Sequence, residues 1–340
     1  MVQSPEHLEV ICVDARERML YIAARRHYVD GVTMGTVAEE LGVSRPTVSR
    51  LLARAREQGI VRITLAEPPG TDSPTARMLA DTFGVTARII PVEDAVPARA
   101  RLDAVAAEAA DVLVGLVHDD SALGVAWGVT TAQIARKLRM SPHSGVRVVQ
   151  LNGSAHAHEV TVPHAGSLLQ TYAAAFGGAT VVPFPIPTFF DRASTKEAMW
   201  QERAVRNVLD EIARLDVAVF GVGYPHARVP SHVYAAGYID PDDLAEALRA
   251  GAVGDVCTVL LRADGSYEGI ALNDRATGPT PDVMRGICRR LGVVGDPSRA
   301  IALLAALRSG VMTDLVMDSV TARVLVRTME RADERAFNHT

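Results

Sequence analysis

From residue 86 onward the chain alternates short apolar runs with stretches of helical spacing, and this alternation narrows its fold more than any other feature. TARIIPV is followed by LDAVAAEAADVLVGLV, SALGVAW by TTAQIARKL, and RVVQLNG by LLQTYAAAF. TVVPFP, VLDEIARLDVAVFGVG, VCTVLL and AIALLAALRSGVMTDLVMDSVTARVLVRTM continue the series. A strand covered by helices on both faces is apolar at consecutive positions, so the pattern predicts a doubly wound α/β domain with a parallel sheet. Ligands of such sheets sit at the carboxyl ends of the strands.

The segment ahead of this pattern is different. AEPPGTDSPTAR, residues 66–77, is rich in proline, glycine and hydroxyl residues and reads as a linker, which sets expected boundaries at 1–66, 67–77 and 78–340. The spacing before it predicts three helices. The first spans about 14–28 and stops at Asp30-Gly31. The second is capped by Thr33 and ends at Gly42, which takes a left-handed turn cheaply. The third is capped by Ser44, with Pro46 in its first turn, where a missing N–H costs nothing.

In the third helix Val48, Leu51, Leu52 and Ala55 form a stripe to be buried. The opposite face carries Arg45, Thr47, Ser49, Arg50, Arg54 and, beyond it, Arg56. With IVRITL following as a wing strand, this is a winged helix-turn-helix whose third helix enters the major groove of DNA. Arg45 and Arg50 are the candidates for base edges, Arg54 and Arg56 for phosphates.

Charge agrees with a local basic surface. The whole chain carries a net charge of -5, so it does not coat nucleic acid along its length, yet Asp14–Leu65 holds nine arginines against six acids. Three scattered cysteines, Cys12, Cys257 and Cys288, form neither a disulfide framework nor a zinc pattern. No leader or spanning segment is read from MVQSPEHLEV or from AVAAEAADVLVGLV, which Glu108 and Asp111 interrupt, so a cytoplasmic protein is expected. No cofactor and no metal is expected. His156, His158 and His164, with Glu159 between, are read as ligand contacts or loop groups rather than a metal site.

In LGVAWGVTTAQIA, residues 123–135, a short strand ends at Gly128 and Thr130 and Thr131 open a helix, so two hydroxyls are expected in a strand-end crevice. The stretch is neither a Walker loop nor GxGxxG, which leaves nucleotide binding unsupported. An ordinary helix cap explains the same residues, and Trp127 beside them reads as core.

Taken together, TMGTVAEELGVSRPTVSRLLARAREQGIVRI, GVAWGVTTAQIA, VVQLNG, DVAVFGVG, GAVGDVCTVLL and AALRSGVMTDLVMDSVTARVLV resemble, in order and spacing, the SorC family of bacterial sugar-responsive transcriptional regulators. The resemblance implies an effector domain related in fold to phosphosugar isomerases, a sugar, polyol or sugar-phosphate effector, operator DNA as partner, and a homodimer or homotetramer. By position, Gly128, Thr130 and Thr131 match the family's phosphate loop, and Asn152 and Gly153 the loop after the next strand. Asp255 matches an acid that faces sugar hydroxyls, and Arg228 and Arg275 match further contacts. Where the family often has a lysine before the last long helices, this chain has Arg299, which keeps the charge but forms no Schiff base. The alternative is a phosphosugar isomerase or hydrolase with an appended nucleic-acid module. It requires a nucleophile, base and orienter that the sequence does not display.

Overall fold

A computed structural model describes residues 18–58, 60–61, 73–141, 143–154, 165–227, 231–235 and 237–337. The chain divides into two units, Met1–Leu65 and Ala66–Thr340. No helix among the described residues is long and apolar enough to cross a membrane.

The described residues of the first unit form three helices. A helix beginning by residue 18 widens to π spacing over Arg25–Val29 and ends at Asp30 and Gly31. The second, Met34–Leu41, starts where the Thr33 hydroxyl accepts the Thr36 N–H at 3.2 Å, and stops at Gly42 with φ 64°. The third, Arg45–Glu57, starts where Ser44 Oγ accepts the Thr47 N–H at 3.3 Å. Leu20, Ala23, Ala24, Val37, Ala38, Val48, Leu52 and Ala55 are buried together, with Leu51 packed at their edge, so the expected stripe is the core. Arg26 ties the first helix to the second: its Nε donates to Glu40 at 2.8 Å, and that hydrogen bond holds the Glu40 carboxyl below its ordinary range. The expected wing, apart from Ile60 and Val61, lies outside the described residues.

The second unit opens earlier than the linker reading placed it. Ser73 is buried, its Oγ accepts the Ala76 N–H at 3.0 Å, and Pro74 starts the helix Pro74–Phe83, so the Ser-Pro pair is a cap and first turn rather than tether. Seven parallel strands follow: β1 (Thr86–Ile90), β2 (Ala122–Val125), β3 (Arg147–Gln150), β4 (Thr180–Val182), β5 (Val217–Gly223), β8 (Arg289–Val294) and β9 (Asp314–Asp318). Their order is β1-β9-β8-β5-β2-β3-β4. The chain therefore winds outward from β2 to β4, returns to β5 on the other side of β2, and winds outward again. The β2–β5 boundary is the switch point, where connections leave in opposite directions and a crevice opens at the strand ends.

One expectation is corrected here. VCTVLL is not a single strand: β6 (Ala252–Val256) pairs antiparallel with the end of β5 and turns through Cys257 and Thr258 into antiparallel β7 (Val259–Arg262). Both turn residues have positive φ, 49° and 73°, as a two-residue hairpin demands, and neither is glycine. Gly278 makes this backbone possible, since a Cβ there would lie 1.7 Å from the Cys257 carbonyl oxygen.

Candidate functional sites

On the helix Arg45–Glu57, Arg45, Pro46, Ser49, Arg50, Arg54 and Arg56 are exposed, opposite the buried Val48, Leu52 and Ala55. Among the described residues none of the four arginines has an ion pair or side-chain hydrogen bond, while the nearby acids Asp30 and Glu40 are taken up by Arg26. Thr47 is half-buried with its hydroxyl 2.8 Å from Ser44 Oγ, and Thr33 and Ser44 are spent on caps. Four exposed guanidinium groups on one helix, with Arg50 and Arg54 one turn apart on the ridge opposite the buried stripe, suit a polyanion.

The second unit gathers six of the nine expected effector residues, Gly128, Thr130, Thr131, Asn152, Asp255 and Arg299, around one crevice at the switch point. The end of β2 and the helix Val129–Ala135 form one wall. Gly221–Gly223 at the end of β5 forms the facing one, and the β6–β7 hairpin brings in Asp255, Cys257 and Thr258.

Asp255 is held from two sides: Tyr234 Oη donates to its Oδ1 at 2.7 Å and the Thr258 N–H to its Oδ2 at 3.0 Å. Gly223 admits this carboxylate, because a Cβ there would stand 1.7 Å from Oδ1. Burial pushes the Asp255 carboxyl up, opposed by those two hydrogen bonds and by the charge of Arg299. Arg299 is itself anchored, donating to the Val222 carbonyl at 2.6 Å and to Ser231 Oγ at 2.7 Å, with Asp296 at 3.6 Å. Asn152 is 1% exposed, and among the described residues its Oδ1 has no hydrogen-bond partner. A buried amide oxygen left bare beside a crevice is costly until a donor arrives. Burial pushes the Cys257 thiol up, with Asp255 adding to it, so it is a neutral lining group rather than a nucleophile.

Not every expected residue is left to a ligand. Thr131 borders the crevice, but its hydroxyl donates back to the Gly128 carbonyl at 3.2 Å; only the Thr130 hydroxyl is left to a ligand. The Gly153 N–H donates to Thr277 Oγ1 at 3.0 Å and its carbonyl accepts from Trp127 Nε1 and Thr188 Oγ1 at 2.8 and 2.9 Å, so it fixes the Asn152 loop from behind. Trp127 is thus a brace. Arg275 lies away from the crevice, paired with Asp243 at 2.5 Å. Arg228 and the histidines at 156, 158 and 164 lie outside the described residues. Sequence reasoning missed Tyr234, Ser231 and Asp296. Only Asp296 left a signal, as an Asp-Pro cap two residues before Ser298, whose N–H it accepts at 3.0 Å.

Residues 70–327 match the family profile described as "Putative sugar-binding domain", and residues 19–72 match the MarR family. The deoxyribonucleoside regulator of Bacillus subtilis is 30% identical over 93% of this chain and 100% of its own length. A crystal structure described as a domain of a possible sugar-binding transcriptional regulator from Arthrobacter aurescens is 40% identical, with a TM-score of 0.70 over 77% of this chain and all of that one. The full-length sorbitol operon regulator of Klebsiella pneumoniae shares the fold, with a TM-score of 0.67 over 91% of this chain and 98% of that one at 22% identity.

Proposed function

Since this chain belongs to the SorC/DeoR family of sugar-binding transcriptional regulators, we propose that its operator affinity is set by a hydroxyl-rich effector, a sugar, polyol or sugar phosphate, bound in the β2–β5 crevice. The observation that carries this reading is the Asn152 Oδ1 on the crevice wall, unpartnered among the described residues, with the Asp255 carboxylate and anchored Arg299 beside it. Two acceptors and a fixed guanidinium complement vicinal hydroxyls, each of which donates one hydrogen bond and accepts others. Arg45 and Arg50 read base edges, and Arg54 and Arg56 hold phosphates. Binding to two half-sites requires a homodimer or a homotetramer. An effector that prefers one arrangement of paired DNA-binding units shifts the population towards it and changes operator affinity by the same coupling free energy.

The test is operator binding by gel shift, using DNA upstream of the protein's own gene, with and without a panel of sugars, polyols and their phosphates. One compound of the panel is expected to change the affinity. Asn152→Ala is expected to weaken that compound by about 1–2 kcal/mol, or roughly five- to thirtyfold, with ligand-free operator affinity unchanged. An unaltered response in the variant would remove the crevice from the mechanism.

A further inference from the structure

A second cavity of about 320 Å³ adjoins the crevice at Val129, Thr130 and Arg299, which border both. Its walls are apolar: Leu102 from the helix Ala98–Leu116, Val129, and Val293 and Val294 from the end of β8. Its charged groups are Arg99, Arg136, Arg299 and Asp296. Asp296 offsets Arg299, and Asp103 pairs with Lys137 at 2.6 Å while also feeling the charge of Arg99. Arg99 and Arg136 therefore stand at an apolar hollow as two cations with no direct ion pair among the described residues. Arg99 has no ion pair or hydrogen bond among the described residues, and Arg136 donates only to the neutral Gln133 side chain at 3.1 Å.

We propose that this cavity binds a small organic anion, a phosphate or carboxylate carried on an apolar body, with Arg99 and Arg136 on the anion and Leu102, Val129, Val293 and Val294 around the body. Apolar walls alone would accept any hydrophobe, and two arginines alone any phosphate. Together they demand both properties in one molecule, since a guanidinium can grip an anion through two N–H groups while the body leaves water. The anion is either a substituent of the crevice effector or a separate molecule. The shared border at Thr130 and Arg299 lets either one influence the crevice. The proposal rests on the crevice reading for what the cavity regulates, not for whether it binds.

Phenyl phosphate is the probe, titrated into the full-length protein by calorimetry, with inorganic phosphate and phenol as controls. Saturable binding at least about tenfold tighter than either control is expected, and R99A/R136A should lower it by about tenfold or more. Both arginines are exposed, so folding is retained, and an unchanged melting temperature checks this. Leu102→Trp, which fills the hollow, should abolish binding. Asn152→Ala should leave it intact while impairing the crevice effector, which separates failure of this proposal from failure of the crevice reading. Competition between phenyl phosphate and the effector assigns the cavity to the effector's own substituent, and simultaneous binding assigns it to a second molecule. Binding no tighter than the controls, binding indifferent to R99A/R136A, or a change of oligomeric state in that variant in place of lost affinity would overturn the proposal.

Discussion

Arg50→Ala is expected to weaken specific operator binding by about 1–3 kcal/mol, roughly 5- to 150-fold, while leaving affinity for unrelated DNA nearly unchanged. Arg50 is exposed on the ridge opposite the buried Val48 and Leu52 and has no ion pair or side-chain hydrogen bond among the described residues. Its removal therefore costs the fold little, within about 0.5 kcal/mol. The expected loss is of a bidentate grip on a base edge, so Arg50→Lys should recover only part of it: an ammonium offers a point charge without the planar fork. Arg54→Ala makes the contrast. As a phosphate contact it should weaken all DNA alike and reduce the slope of log affinity against log salt by about one. Fluorescence anisotropy on operator and scrambled duplexes across a salt series measures both. Equal losses for Arg50→Ala on the two duplexes would demote Arg50 to a phosphate contact, and no loss would remove the helix from the groove.

Features set by neighbouring residues were legible in the sequence, and features set by close approach of distant segments were not. Thr33, Gly42, Ser44 and Pro46 mark helix ends through their own backbone chemistry, and the stripe Val48, Leu52 and Ala55 needs only a period of 3.6. The strand runs likewise announced themselves through unbroken apolarity. The β6–β7 hairpin did not, because Cys257-Thr258 lacks the Asn-Gly signal that such turns usually display. Its positive φ angles are sustained by Gly278, some 20 residues on, and by the Asp255 carboxylate accepting the Thr258 N–H. Family position alone assigned Gly153 and Arg275 to the ligand. Packing gives Gly153 to the Trp127 and Thr277 braces, and electrostatics gives Arg275 to Asp243. Thr131 shows the same limit on a smaller scale: helical spacing placed it beside Thr130, but the direction of its hydroxyl is decided by the Gly128 carbonyl three residues back.

Asp318→Ala is expected to be the most destabilising single change in the effector domain, costing about 3–5 kcal/mol. The carboxylate is 0% exposed at the end of β9. Its Oδ1 accepts the N–H groups of Val320 and Thr321, both at 2.9 Å, and Oδ2 accepts the Thr321 hydroxyl, so it starts the helix Ser319–Phe337. The same Oδ1 lies 3.7 Å from Nε of Arg101, a guanidinium itself nearly buried, whose Nη2 donates to the Val96 carbonyl at 3.0 Å. Alanine would leave three donors, the N–H groups of Val320 and Thr321 and the Thr321 hydroxyl, without their acceptor and the Arg101 cation without its counter-ion, which is the costly way to break an ion pair. At about 2–4 °C per kcal/mol for a domain of this size, the melting temperature should fall by roughly 10 °C. Asp318→Asn separates capping from charge: its amide oxygen keeps the cap, but Arg101 stays charged and unpaired. Combining it with Arg101→Met removes both charges, and the double variant should be more stable than Asp318→Asn alone. Strictly additive losses would show that the two side chains are not coupled. Because Arg101 sits between Arg99 and Leu102, loosening it should also weaken phenyl phosphate binding next to the crevice, while DNA binding by the separate N-terminal unit is retained.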